Sequence, residues 1–282
     1  MTGDHDTGTA KTRFRLAFAG YVGTLVAGLA ALAVGLTAPT RIAVLGTAAI
    51  SLLGGALVGI ALARRIRELP ARLGRSWLRR VALPFSATPF GVAVGATLLG
   101  WLEFRLVVAA LGVAVAITGY ALMRLAETCY VDSITDDESV ATWQWEPPGT
   151  PKLDAIVLAM WLLLGAASAT TGDWLPSIVW TGLAIFWVVI GLAEGRWRVG
   201  SLGDTPAIYV HEVGLVKRRP YTRSLVRWSD ISHVRLREDE LVLDRGFFDV
   251  RFERDQLADL EDARSEIERH SQSLRNGAPE PP

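Results

Sequence analysis

The chain has 282 residues, half of them hydrophobic, and its formal net charge at pH 7 is zero. A mean hydropathy of +0.29 is too high for an ordinary soluble domain of this length, and we expect no nucleic-acid partner. The single cysteine, Cys129, excludes an intrachain disulfide and fits a reducing compartment for the soluble parts.

Six hydrophobic runs are long enough to cross a bilayer, which takes roughly 20 apolar helical residues. None carries an ionisable side chain in its middle. The runs cover residues 16–38, 42–63, 82–102, 106–123, 154–172 and 175–194. Pro84 and Pro89 favour a kink near the start of the third run. The first run is longer than a signal-peptide core, so we expect an uncleaved transmembrane helix there.

The connections between the runs predict the topology. Residues 39–41, 103–105 and 173–174 are short enough to force three helical hairpins in series, which together form a transmembrane domain over residues 16–196. The connection 64–80 holds seven Arg and one Glu, and a Lys/Arg excess marks the cytoplasmic side. We therefore expect a multi-pass protein of the cell membrane with both termini, including the tail 1–15, in the cytoplasm.

Residues 64–80 also admit a second interpretation, a short interfacial helix lying on anionic headgroups. Apolar residues recur there at near-helical spacing between the arginines: Ile66, Leu69, Leu73, Trp77 and Leu78. Pro70 and Gly74 oppose a continuous helix. The other interpretation is a topology signal alone.

Two GxxxG motifs, Gly55–Gly59 and Gly91–Gly95, predict close packing between helices of the chain. A dimer face, or no role, is the alternative for each motif.

The mixed charges of the connection 124–153 predict a solvated loop. The spacing of its acidic residues matches no calcium loop: Asp132, Asp136, Asp137 and Glu138. Alternation from Val140 to Trp145 allows a short strand packed on the C-terminal part of the chain.

After Trp197 the hydrophobic period changes to two, which is typical of half-buried strands. Arg245-Gly246 is a plausible hairpin turn between the last two strands. The strands are predicted at 207–211, 214–218, 223–228, 231–237, 240–244 and 247–252. An amphipathic helix then follows, with Asp255 as its cap and acidic residues in its first turns. Its apolar stripe comprises Leu257, Leu260, Ile267 and Leu274, and residues 276–282 are expected to be disordered.

The segments "EVGLVKR" at 212–218, "VRWSDISHV" at 226–234 and "DLEDARSEIERH" at 259–270 resemble prokaryotic pleckstrin-homology-like (PH-like) domains. The resemblance covers about 75 residues within 197–275. It implies a cytoplasmic half-barrel capped by a C-terminal helix, with Trp228 in the core and Ser229-Asp230 shaping a turn. The region is short for seven strands, so either one strand is missing or residues 124–153 supply it. No family is identified for the six-helix region.

The candidate binding residues are five basic side chains between Glu212 and Asp230, with no acid among them: Lys217, Arg218, Arg219, Arg223 and Arg227. Residues 217, 219, 223 and 227 share a face if the turn permits. The spacing departs from that of phosphoinositide-binding relatives, so we expect non-specific attraction to anionic headgroups or a protein partner. A solvated strand face is the alternative.

No nucleotide loop, HExxH, Gly-x-Ser-x-Gly or metal-spaced Cys/His cluster occurs. We therefore expect no enzyme, cofactor or metal, but a membrane scaffold or anchor with a cytoplasmic interaction module. The alternative is a small-solute or lipid transporter or channel in which the module is regulatory. A pore would use hydroxyl-bearing residues of the helices: Ser51, Thr88, Thr97, Thr118, Ser168 and Thr170.

Overall fold

A computed structural model of the chain describes residues 3–37, 40–66, 68–99, 105–135, 138–197, 204–246, 249–257 and 259–277. It divides into two compact units. The helical unit comprises Met1–Tyr130 and Pro151–Gly191, and the sheet unit comprises Val131–Thr150 and Leu192–Pro282. The sheet unit is therefore discontinuous in sequence.

Helices dominate the first two thirds of the chain. Five helices in the described residues are long and apolar enough to cross a membrane, as the multi-pass prediction requires: Lys11–Gly35, Ile42–Arg65, Val107–Ile134, Pro151–Thr170 and Pro176–Ala193. The helices are α1 (Gly3–Thr37), α2 (Arg41–Arg65), α3 (Leu69–Arg75), α4 (Trp77–Phe85), α5 (Thr88–Leu98), α6 (Arg105–Ile134), α7 (Pro151–Thr170) and α8 (Trp174–Ala193).

The third predicted span, residues 82–102, is not one continuous helix, so six long spans are not confirmed. α4 ends at Phe85 and α5 begins at Thr88. The cause is Pro89, which has no N–H to donate to the Phe85 carbonyl. The Thr88 hydroxyl donates to that carbonyl instead, at 2.7 Å. Residues 100–104, which include most of the predicted turn, lie outside the described residues.

The fourth helix outlasts its hydrophobic run. α6 continues to Ile134, so the first part of the predicted loop 124–153 is helical. The charges at this end are paired, because Glu127 lies 2.9 Å from Arg124 and 2.5 Å from Arg80 of α4. Falling hydropathy therefore does not end the helix. Asp136 and Asp137 lie outside the described residues.

Among the described residues, only the first GxxxG motif packs against another part of the chain. A Cβ added at Gly59 would lie 2.8 Å from the Ala19 Cα, and one added at Gly55 would lie 3.0 Å from the Gly23 Cα. These contacts place α2 tightly against α1, as predicted. No described atom would lie within 4 Å of a Cβ at Gly91 or Gly95, so the packing prediction is wrong for that motif.

The described residues of the sheet unit contain all six predicted strands and one more. One antiparallel sheet has the order β1-β2-β3-β4, and a second has the order β5-β6-β7. Phe247 and Phe248, at the predicted start of the last strand, lie outside the described residues. The strands are β1 (Ala141–Gln144), β2 (Ala207–His211), β3 (Gly214–Arg218), β4 (Arg223–Arg227), β5 (His233–Leu236), β6 (Glu240–Asp244) and β7 (Val250–Glu253).

Strand β1 settles whether residues 124–153 contribute to the sheet. It pairs with β2 over four residues, with Ala141 opposite Val210 and Gln144 opposite Ala207. Trp143 and Trp145 are buried in the core between the two sheets. Trp228 is buried there too, and its Nε1–H donates to the His211 carbonyl at 2.9 Å.

The closing helix α9 spans Leu260–Gly277, and its cap is not the predicted one. Because the helix starts at Leu260, the capping carboxylate is that of Asp259, which accepts from the Asp262 N–H at 3.0 Å. Asp255 lies too far upstream. Leu257, Leu260 and Ile267 are buried against the sheets, whereas the side chain of Leu274 lies outside the described residues.

Candidate functional site

The β3–β4 hairpin positions the five candidate basic residues. Its turn closes where the Arg219 N–H donates to the Thr222 carbonyl at 2.8 Å. The register pairs Arg218 with Arg223, and Gly214 with Arg227. Because side chains alternate along a strand, Arg218, Arg223 and Arg227 lie on one face of the sheet. Lys217 lies on the opposite face, so the predicted shared face is wrong for that residue.

We call the sheet face that carries Arg218, Arg223 and Arg227 the outer face. Two of its arginines are paired with carboxylates. Arg218 lies 2.6 Å from Asp204, and Arg223 lies 2.6 Å from Asp132. Burial lowers the pKa of Arg218, but hydrogen bonds to Asp204 and to the Tyr209 hydroxyl outweigh it, so the pKa is raised overall. Each of these two guanidinium groups therefore has a carboxylate partner within the sheet unit.

Lys217 lies on the core side of the sheet. Its Nζ is 4.5 Å from the centroid of the Phe252 ring and 5.5 Å from that of Trp145. In the described part of the chain, no hydrogen bond or ion pair holds this amine. Burial, then the charges of Arg219 and Arg245, lower its pKa to about 7, against a smaller opposing effect of Glu194. A large fraction of Lys217 is therefore neutral at physiological pH.

Arg219 directly follows β3 and, like Lys217, lies near the Trp145 ring at one end of the sheet unit. It lies 3.0 Å from Glu194, and its guanidinium carbon is 5.8 Å from the centroid of the Trp145 ring. Arg227 is exposed at the far end of β4. Of the five predicted site residues, three are thus in ion pairs and one is an aromatic-packed amine.

A pocket of about 220 Å³ opens on the outer face of the four-stranded sheet. Arg218 and Arg223 form one wall. His211 also lines the pocket and is 8% exposed. Thr135 and Ser139, from the segment between α6 and β1, cover its other side. Tyr209 and Val216 complete it. No sequence pattern predicts this pocket, because its walls are separated by about 70 residues of chain.

The carboxylates that neutralise the basic end were also missed. Asp132 lies 91 residues before its partner Arg223, and the sequence indicated only a solvated loop there. Glu194 and Asp204 flank the connection from α8 to β2. No local pattern identifies such partners, because pairing depends on chain reversals far from either residue. The outcome is a basic end whose charge is mostly satisfied within the sheet unit.

Comparison with known proteins finds no match: no family model, curated protein or solved structure is similar to this chain.

Proposed function

We propose that this chain is a multi-pass membrane scaffold whose sheet unit is a cytoplasmic PH-like interaction module. The observation that carries the proposal is the pairing of β1 with β2 across an insertion. Gln144, before α7, lies opposite Ala207, after α8. One small domain therefore receives the chain on both sides of two apolar helices.

This connectivity supports a hairpin topology for α7 and α8. If both helices cross the bilayer, the start of α7 and the end of α8 lie at the same face of the bilayer, because one sheet holds the segments that flank them. The Arg-rich connection 64–80 favours the cytoplasm for that face. The cell membrane and cytoplasmic termini belong to the same proposal.

A sixth crossing by α4 and α5 together completes this topology. Phe90 of α5 contacts Gly112 of α6, and Leu83 of α4 contacts Gly119. The contacts run in opposite directions along the two segments, so α4 and α5 follow α6 antiparallel. The break at Pro89 is satisfied by the Thr88 hydroxyl, as tolerated breaks in membrane helices require.

Three features support a PH-like module. The four-stranded and three-stranded antiparallel sheets enclose one core, and α9 packs on the second sheet. Trp228 is buried, and Trp228–Asp230 form a short 3-10 turn between β4 and β5. These are the roles that the resemblance assigns to those residues.

The charge pattern favours a protein partner over headgroups for this module. Arg218, Arg219 and Arg223 are in ion pairs within the unit, so attraction to lipid phosphates must compete with carboxylates already in contact. Three of the hydroxyl residues proposed for a pore donate to carbonyls of their own helices: Thr118 to Ala114, Ser168 to Leu164 and Thr170 to Ala167. That pattern supports a scaffold over a channel.

Photocrosslinking of the full chain in cells tests the proposal. A benzophenone amino acid is placed at Val213 or Arg227 of the sheet unit, with Leu163, an exposed residue of α7, as the matched lipid-facing control. We expect a protein adduct of discrete mass from the sheet positions and only lipid adducts from the control. Lipid adducts alone at all three positions would replace the protein partner with headgroups, and no adduct at either sheet position would contradict an interaction module.

Cysteine labelling in sealed cells tests the topology separately. In a Cys129→Ala background, Val140→Cys and Val213→Cys are expected to be protected from a membrane-impermeant maleimide added outside, and Asp173→Cys, in the α7–α8 connection, to react. Equal labelling at all three positions would contradict the hairpin.

A further inference from the structure

An exposed basic segment of the helical unit runs from the end of α2 through α3 and α4. It begins where α2, a candidate membrane span, ends at Arg65. Four exposed arginines of this segment have no carboxylate partner in the described part of the chain. We call them the interfacial arginines: Arg64, Arg65, Arg75 and Arg79. Arg67 lies outside the described residues.

The segment is not a free loop, because one side of it packs on the helical unit. Gly74 of α3 is buried, and a Cβ there would lie well under 3 Å from the Ala126 carbonyl oxygen of α6. Leu83 of α4 is 8% exposed in the core of the unit. Arg79 donates to the Arg72 carbonyl at 3.3 Å and so links α4 to α3. The two short helices are therefore fixed in place.

The opposite side displays apolar residues beside the cations. Trp77 is 64% exposed and Leu78 is 72% exposed, on the helix that also carries Arg79. Large exposed apolar side chains are unfavourable in water, whereas Trp is enriched at the bilayer interface. Arginines next to such residues are typical of helices that lie on anionic membranes.

We propose that the end of α2, together with α3 and α4, forms an interfacial surface that binds anionic phospholipid headgroups. The interfacial arginines contact the phosphates, and Trp77 and Leu78 enter the boundary between headgroups and acyl chains. Charge complementarity selects the lipid. Among the described residues, the four interfacial arginines have no carboxylate partner, and the exposed acid of the segment, Glu68, is already paired with Arg72 at 2.8 Å. This surface belongs to the helical unit and is independent of any ligand of the sheet unit.

Native mass spectrometry of the full chain in detergent tests the charge contribution, with phosphatidylglycerol or phosphatidylcholine as added lipid. We expect phosphatidylglycerol to bind more tightly, and the variant R64Q/R65Q/R75Q/R79Q to lose at least about tenfold in that affinity, since one surface arginine is worth about fivefold. The matched control R235Q/R237Q/R251Q/R254Q removes four exposed arginines that lie in, or directly after, strands β5 and β7 and is expected to keep the preference. Equal losses in both variants, or no preference in the unsubstituted chain, would overturn the proposal.

A second measurement covers the case in which the glutamine variant fails to insert, since its arginines also direct topology. Spin labels are attached at Leu78→Cys or Val213→Cys in a Cys129→Ala background, and the full chain is reconstituted in vesicles of phosphatidylcholine and phosphatidylglycerol. We expect the label at 78 to be accessible to oxygen and shielded from a water-soluble nickel chelate. The label at 213, in the β2–β3 turn, is expected to show the reverse. Chelate access at 78 equal to that at 213 would overturn the proposal.

Discussion

Replacing Lys217 with Met is expected to stabilise the sheet unit at neutral pH. The half-buried amine lies over the Phe252 and Trp145 rings without a carboxylate contact in the described residues, and desolvation is the main cause that lowers its pKa from 10.5 to about 7. Folding must therefore desolvate an amine that is protonated in the unfolded chain. A Met side chain of similar length keeps the ring contacts and removes the charge.

The magnitude follows from linkage between proton binding and folding. Each pKa unit is worth about 1.4 kcal/mol, so a pKa lowered to about 7 costs the folded unit about 4 kcal/mol at pH 7. The two rings stabilise the protonated amine by about 1 to 2 kcal/mol, which opposes that cost. We therefore expect a net gain of about 2 to 3 kcal/mol for Lys217→Met at pH 7.

The gain should shrink as the pH rises. Between the folded pKa of about 7 and the unfolded value of 10.5, the unfolded state holds one more proton, so the stability of the unsubstituted unit rises with pH. Below pH 7 both states are protonated and the cost is at its maximum. At pH 9 the unsubstituted unit has recovered about 2 kcal/mol, and the advantage of Met falls accordingly.

Pulse proteolysis of the full chain in detergent, across a urea series at pH 7, 8 and 9, measures this directly. A gain of about 2 to 3 kcal/mol moves the midpoint by roughly 1 to 2 M in urea. The matched control is Lys152→Met, an exposed lysine at the start of α7, for which we expect no shift. A lower midpoint for Lys217→Met, or a gain that does not change with pH, would refute the reasoning.

Two further substitutions test the packing and the cap. Gly74→Ala is expected to lower the thermal midpoint of the helical unit by several degrees, because a Cβ there overlaps the Ala126 carbonyl oxygen. The control is Gly46→Ala, because no described atom lies within 4 Å of a Cβ at that position. Equal midpoints for the two variants would contradict the contact between α3 and α6. Asp259→Ala should destabilise the sheet unit by about 1 kcal/mol in the urea series through loss of the α9 cap, whereas Asp255→Ala should not. A larger loss of stability for Asp255→Ala than for Asp259→Ala would support Asp255 as the cap, as the sequence predicted.

Much of this fold could be predicted because its signals are local. Runs without charge define the long helices, since a bilayer-spanning segment needs only length and apolarity. Alternation defines the strands, and β2, β3 and β6 begin and end at the predicted residues, since a period of two is complete within five residues. Pro89 also predicted a kink in this span, although the sequence did not predict that the span would be divided into two helices.

The tertiary structure decided everything that depends on distant parts of the chain. Alternation near Val140 allowed a strand, but only chain reversal after α8 brings Gln144 opposite Ala207. Five clustered basic residues suggested one binding face, but the register of β3 puts Lys217 on the core side of the sheet and Arg218 on the opposite side. Asp132 and Asp204 then neutralise the outer arginines. Composition and period are properties of a short window, whereas the partner of a charge is fixed only when the chain has folded. The sequence therefore could not show that Arg218 and Arg223 are paired with carboxylates, whereas Arg64, Arg65, Arg75 and Arg79, on α2 to α4, have no carboxylate partner in the described residues.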